Sequence, residues 1–151
     1  MGRRAPDAHG RLGRQRSSRD WAAARLDALV LAACFALFLL VAYALKPLGI
    51  PGALGGLVNG HLIDIVGGCA FCAYVNLLFD LVHPATRLRR WWQCVVLIVS
   101  CGLFWEYVAP VLVRPSVSDP LDLVSYVVGA LAYAAVDAMA RPRLGAQAAV
   151  R

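Results

Sequence analysis

The chain has 151 residues, of which 60% are hydrophobic and only 16% charged, and its formal net charge is +6. Soluble domains are about 45–50% apolar, and here the apolar residues are gathered into blocks long enough to cross a bilayer. An ordinary water-soluble fold is therefore excluded, and the length suits one domain.

Four apolar spans are read from the sequence: Ala28–Leu45, Leu62–Val82, Trp91–Val113 and Leu121–Ala140. Each is near the roughly 20 residues that a helix needs to cross about 30 Å of hydrocarbon. Backbone groups in lipid must bond within their own segment, and no stretch alternates like a barrel strand, so the spans are predicted to be helices. The expected fold is all-α: an integral membrane bundle of four transmembrane helices over 28–140, between a basic tail at 1–27 and another at 141–151. Arginines crowd the first tail, the connection at Arg87, Arg89 and Arg90, and the last tail, whereas the other two connections hold only Lys46 and Arg114. The positive-inside bias then places both termini in the cytoplasm, in a multi-pass protein of the cytoplasmic membrane.

The first tail is Arg-rich and lacks apolar periodicity before Trp21, which predicts a solvated, disordered segment that touches anionic lipid. It has no interleaved aromatics, so nucleic acid is not an expected partner. The run Ala42-Tyr43-Ala44 offers an alternative reading of the first span as a cleaved signal peptide, against which stands the immediately following Lys46-Pro47. Pro47–Gly60 is rich in Gly and Pro and reads as an outer loop lying on the interface or tucked into the bundle mouth as a lid.

The second span opens with His61 and Asp64, which share a helical face. Gly68, Cys72 and Val75 continue that face, and small residues there allow close helix contact. Cys69 and Cys72 form a C-x-x-C without ribbon or βαβ context, so with Cys34, Cys94 and Cys101 they read as small apolar packers. Asn76 and Asp80 read as structural, with Asp80 close enough in sequence to pair with the Arg87–Arg90 group. Trp91 and Trp92 mark one interface of the membrane, and Trp105 and Tyr107 approach the other. In the third span Pro110 cannot donate to the Glu106 carbonyl and should kink the helix beside a mid-span carboxylate. On the fourth span Asp122, Tyr126, Gly129, Tyr133 and Asp137 fall on one face, while Leu, Val and Ala fill the others.

His61, Asp64, Glu106, Arg114, Asp119, Asp122 and Tyr126 thus form the predicted polar pocket at the outer end. A carboxylate in hydrocarbon costs about 2.5–3.5 kcal/mol on insertion scales, so such residues face a bundle interior or a wet cavity. Simpler readings stand beside this one: His61 as a hydrated interfacial histidine, Asp119 as a helix-start carboxylate, and Glu106 as an ion-pair partner of Arg114. Metal binding by His61 and the carboxylates is an open alternative, but no spacing here matches a metal motif, so neither a metal nor a cofactor is expected.

Glu106, Arg114, Asp119-x-x-Asp122 and Gly129-Ala130 give the chain a resemblance to the VanZ-like membrane proteins, whose pattern runs loosely E…PxR…D-x-x-D-x-x-x-N-x-x-G. It covers about residues 59–135. Tyr126 stands at the Asn position, the arginine is followed rather than preceded by proline, and the polar pair of the second span is rearranged as His61/Asp64. These are small bacterial multi-span proteins named for one associated with resistance to the glycopeptide antibiotic teicoplanin. The resemblance implies a role in the cell envelope or in antibiotic resistance, and brings no mechanism with it. The leading expectation is a non-enzymatic protein whose pocket takes an amphiphilic or lipid-linked envelope ligand, with Arg114 suited to its phosphate or carboxylate. The alternatives are a membrane enzyme using carboxylate and His acid–base chemistry, and a scaffold or transporter subunit. Small-residue faces at Gly67/Gly68 and Gly129/Ala130 permit a homo-oligomer.

Overall fold

The computed structural model describes residues 18–104 and 120–149, with side chains for 20–104 and 121–141. Among the described residues all regular structure is helical. Helix α1 spans Ser18–Leu40 and runs on through a π turn at Val41–Leu45 and a 3-10 turn at Lys46–Leu48. Gly49, at a φ of 59°, ends it in the left-handed conformation that favours glycine, and its N–H donates to the Lys46 carbonyl at 3.2 Å. A short helix α2 follows at Gly52–Gly56, then a π turn at Leu57–His61 that leads directly into α3, Leu62–Val82. Helix α4 is Trp91–Leu103 and α5 is Pro120–Ala149.

Two expectations are corrected. The helix starts at Ser18 rather than near Ala28, and Asp27 is fully buried instead of lying in a solvated tail. Ala24, Asp27, Leu31, Cys34 and Val41 recur every three, four or seven residues, so the buried stripe of the first span extends one turn into the charged region. The segment 47–60 is largely helical too, and Gly52–Val82 is one apolar helical stretch of 31 residues. Pro47 sits in the first turn of its 3-10 segment, where no N–H is required. Gly55 allows the backbone to fold back on itself, since a methyl group there would lie 1.7 Å from the Ile50 carbonyl oxygen.

Three helical stretches among the described residues, Asp20–Leu48, Gly52–Val82 and Leu121–Arg141, are long and apolar enough to cross a membrane. Helix α4, with Phe104, is the described part of the expected third span, whose residues 105–113 lie outside the described residues. Leu29, Phe35, Tyr43, Val82, Val96 and Met139 project outward from the bundle. Large apolar side chains distributed in this way around several helices suit lipid rather than water. The chain is a helical membrane protein.

Helix α3 lies at the centre, packed chiefly on α5 and α1, and α4 packs chiefly on α5. Cys72, Ala73, Cys94, Ile98, Ala130 and Tyr133 form the core. All five cysteines are free; Cys34, Cys72 and Cys94 are buried as packing residues should be, whereas Cys69 is half-buried and Cys101 is exposed. The α3–α5 crossing is made possible by two glycines. A methyl at Gly68 would lie 2.3 Å from the Tyr126 carbonyl oxygen, and one at Gly129 would lie 2.0 Å from that of Ile65. Gly68, Gly129 and Ala130 therefore serve packing within the chain, and of the small-residue faces only Gly67 looks outward.

Candidate functional site

The helices bring polar side chains together at both ends of the bundle. At one end the π turn presents His61, the first turn of α3 presents Asp64, and the first turn of α5 presents Asp122. His61 Nδ1 lies 3.6 Å from Asp122 Oδ1, and one donor atom from each of the three residues falls within 4.8 Å of the other two. That nitrogen is closed off from solvent and has no hydrogen-bond partner, although the imidazole as a whole is 31% exposed. Tyr126, one turn along α5 from Asp122, stands beside the Asp64 carboxylate. Four of the seven predicted pocket residues, His61, Asp64, Asp122 and Tyr126, thus share one place. Glu106, Arg114 and Asp119 lie outside the described residues.

A cavity of about 340 Å³ opens beside this group between α1, α3 and α5. Its walls are Leu31, Cys34, Phe35, Phe38 and Val66, and its polar lining comes from Asp64 and Tyr126. Tyr126 also lines a second cavity of about 350 Å³, between α3, α4 and α5, whose other walls include Phe71, Ile98 and Cys101.

The opposite end holds a buried ionic network centred on Arg87, in the loop between α3 and α4. One guanidinium nitrogen contacts Asp27 Oδ2 at 2.5 Å and also contacts Asp80. The other contacts Asp27 Oδ1 at 3.2 Å and Asp137 Oδ1 at 2.7 Å. Asp137 is bound in addition by Arg141, one turn further along α5. The Tyr133 hydroxyl donates to Asp27 at 2.7 Å and accepts from the Asn76 amide at 2.7 Å. The Asn76 side chain in turn holds the loop backbone, accepting from Leu88 N–H at 2.8 Å and donating to its carbonyl at 3.2 Å. Gln93 Oε1 accepts from the N–H groups of Arg89 and Arg90 and so fixes the start of α4. Burial alone would favour a neutral Arg87, but the hydrogen bond and charge of Asp27, reinforced by Asp137, hold it above its ordinary pKa and charged.

Sequence reasoning anticipated that Asp80 would pair within the Arg87–Arg90 group and that Asn76 is structural, but not which arginine Asp80 meets, nor Asp27, nor the gathering of three carboxylates on one guanidinium. The usable signal is the spacing Asp27–Leu31–Cys34 on α1 together with Tyr133–Asp137 on α5, which puts acidic groups on two buried stripes at the arginine-rich end. Every partner in this network is engaged, and its fork of hydrogen bonds locks α1, α3, the loop and α5 together. The His61 end differs in having an unpartnered buried nitrogen, adjacent like charges and an apolar cavity, which are features of a site able to receive something.

No family model, no curated protein and no solved structure matches the chain.

Proposed function

We propose that this is a VanZ-like envelope protein of the bacterial cytoplasmic membrane, with both termini inside, whose His61 end faces outward and binds an amphiphilic or lipid-linked envelope ligand without transforming it. The observation that carries this reading is the cavity with Asp64 and Tyr126 as its polar lining and Leu31, Phe35 and Phe38 along its wall. Such a hollow suits a molecule with a hydrogen-bonding head and a hydrocarbon tail: polar groups fix orientation and apolar walls supply most of the contact. The orientation is supported by charge, since Arg25, Arg87, Arg89, Arg90 and Arg141 all belong to the end of the bundle away from His61. The link to glycopeptide resistance rests on the resemblance in the order Glu106, Arg114, Asp119-x-x-Asp122 and Gly129.

The test is teicoplanin sensitivity in a susceptible host that carries wild type, Asp122→Asn or empty vector. Wild type should shift the inhibitory concentration relative to empty vector, and Asp122→Asn should abolish most of that shift at equal expression. Identical sensitivity in all three removes the resistance reading.

A further inference from the structure

We infer that His61, Asp64 and Asp122 form a binding site for a divalent transition-metal ion of the zinc type. This rests on the reading of the same end of the bundle as the ligand site and adds to it the chemical class of a resident ion. The donor set is one imidazole nitrogen and two carboxylates, contributed by the π turn, α3 and α5. Imidazole with carboxylate suits zinc and its neighbours better than magnesium or calcium, which prefer all-oxygen shells. Zinc with three protein ligands keeps a fourth position open, which is how a metal site takes an exogenous group.

The geometry is close to what such an ion needs. Ligand atoms about 2.0–2.1 Å from a tetrahedral centre lie roughly 3.3 Å from one another. The His61 Nδ1 to Asp122 Oδ1 separation is 3.6 Å, and the largest separation in the trio is bounded at 4.8 Å, which leaves a contraction of at most about 1.5 Å for the side chains to make on an ion. The independent observation is His61 Nδ1 itself, a nitrogen removed from solvent, facing carboxylate oxygen and lacking a hydrogen bond. A buried polar atom in that state costs free energy unless something satisfies it. A cation between the nitrogen and the oxygens would satisfy all three and offset the two like charges placed beside each other at the membrane boundary. Tyr126, beside Asp64, is placed to supply the kind of outer support that fixes a carboxylate ligand in place.

The experiment uses the purified full chain in detergent and zinc as the probe. After equilibration with Zn²⁺ and removal of free metal, elemental analysis should find one ion per chain. His61→Ala and Asp64→Asn should each weaken binding by roughly tenfold or more, with retained melting behaviour confirming that the variants fold. X-ray absorption at the zinc edge separates this site from the free cysteines, because nitrogen and oxygen ligands lie at about 2.0–2.1 Å and thiolate sulfur at about 2.3 Å. A nitrogen/oxygen shell that is lost in His61→Ala supports the inference. No stoichiometric zinc, a sulfur-dominated shell, or binding indifferent to both variants overturns it. If zinc fails to bind while Asp122→Asn still changes teicoplanin sensitivity, the metal falls and the ligand reading stands. If zinc binds at these three residues while sensitivity is indifferent to Asp122, the ion is supported and the envelope ligand is not.

Discussion

Replacing Arg87 by Met is expected to be the most damaging single change in the bundle. The network contains Asp27, Asp80 and Asp137 against Arg87 and Arg141, three negative groups and two positive ones, a formal balance of −1. Removing Arg87 takes this to −2, and Arg141 reaches only Asp137 within it. Asp27 and Asp80 are then left buried without a cation. Breaking a buried ion pair from one side costs about 3–5 kcal/mol, a large part of the roughly 5–15 kcal/mol that typically holds a domain folded. Loss of expression, or a collapse in detergent melting temperature, is the expected readout. Asp80→Asn should be far milder, because it removes one carboxylate from a set already in negative excess. Combining Asp80→Asn with Arg87→Met should recover part of the loss, a non-additivity that a double-mutant cycle measures. Arg87→Lys should fall between wild type and Met, since a single ammonium cannot present the planar fork that meets Asp27 with both nitrogens.

The second large effect comes from the glycines. Gly67 and Gly68 are adjacent, yet alanine should act on them in opposite directions. A methyl at Gly68 would sit 2.3 Å from the backbone oxygen of Tyr126, so the α3–α5 crossing would have to open. At Gly67 the same methyl meets nothing within 4 Å. Gly67→Ala should therefore be neutral or stabilise by up to about 1 kcal/mol through helix propensity. Gly68→Ala, and Gly129→Ala at the reciprocal contact, should each cost about 1–3 kcal/mol or more. The obstacle is main chain rather than a flexible side chain, which leaves little room to relax. Thermal unfolding of the three variants in one detergent checks the signs directly.

The helical character, three of the four apolar spans and the inward face of the last helix were legible because periodicity and length carry them. Asp122, Tyr126, Gly129, Tyr133 and Asp137 do lie along one face, with Gly129, Tyr133 and Asp137 buried and Asp122 and Tyr126 half-buried. That stripe serves two ends: Asp122 and Tyr126 meet His61 and Asp64, whereas Tyr133 and Asp137 meet Asp27 and Arg87. Sequence spacing shows a face but not the partners that each half of it finds. Asp27 escaped because hydropathy places a span boundary where charges begin, and this charge is neutralised by an arginine 60 residues away. Arg87 escaped for a related reason, as one member of a basic loop whose neighbours Arg89 and Arg90 serve topology. The segment 47–60 misled because Gly and Pro usually punctuate helices in water, whereas here its apolar residues sustain the helix and Gly49 with Gly52 confine the turn.

On the proposed reading the two polar ends do different work: the Arg87 end holds the bundle together, and the His61 end keeps carboxylates close together for a ligand. Sites of that second kind are commonly less stable than a neutral substitute. The most direct test is the melting temperature of Asp64→Asn in metal-free detergent solution, since asparagine retains an oxygen for Tyr126 while relieving repulsion with Asp122. An unchanged value, or a rise of a few degrees corresponding to about 1 kcal/mol, is the predicted result. A fall comparable to that of Arg87→Met would show that the His61 end is a structural clamp like the other, and the division of labour between them would be wrong.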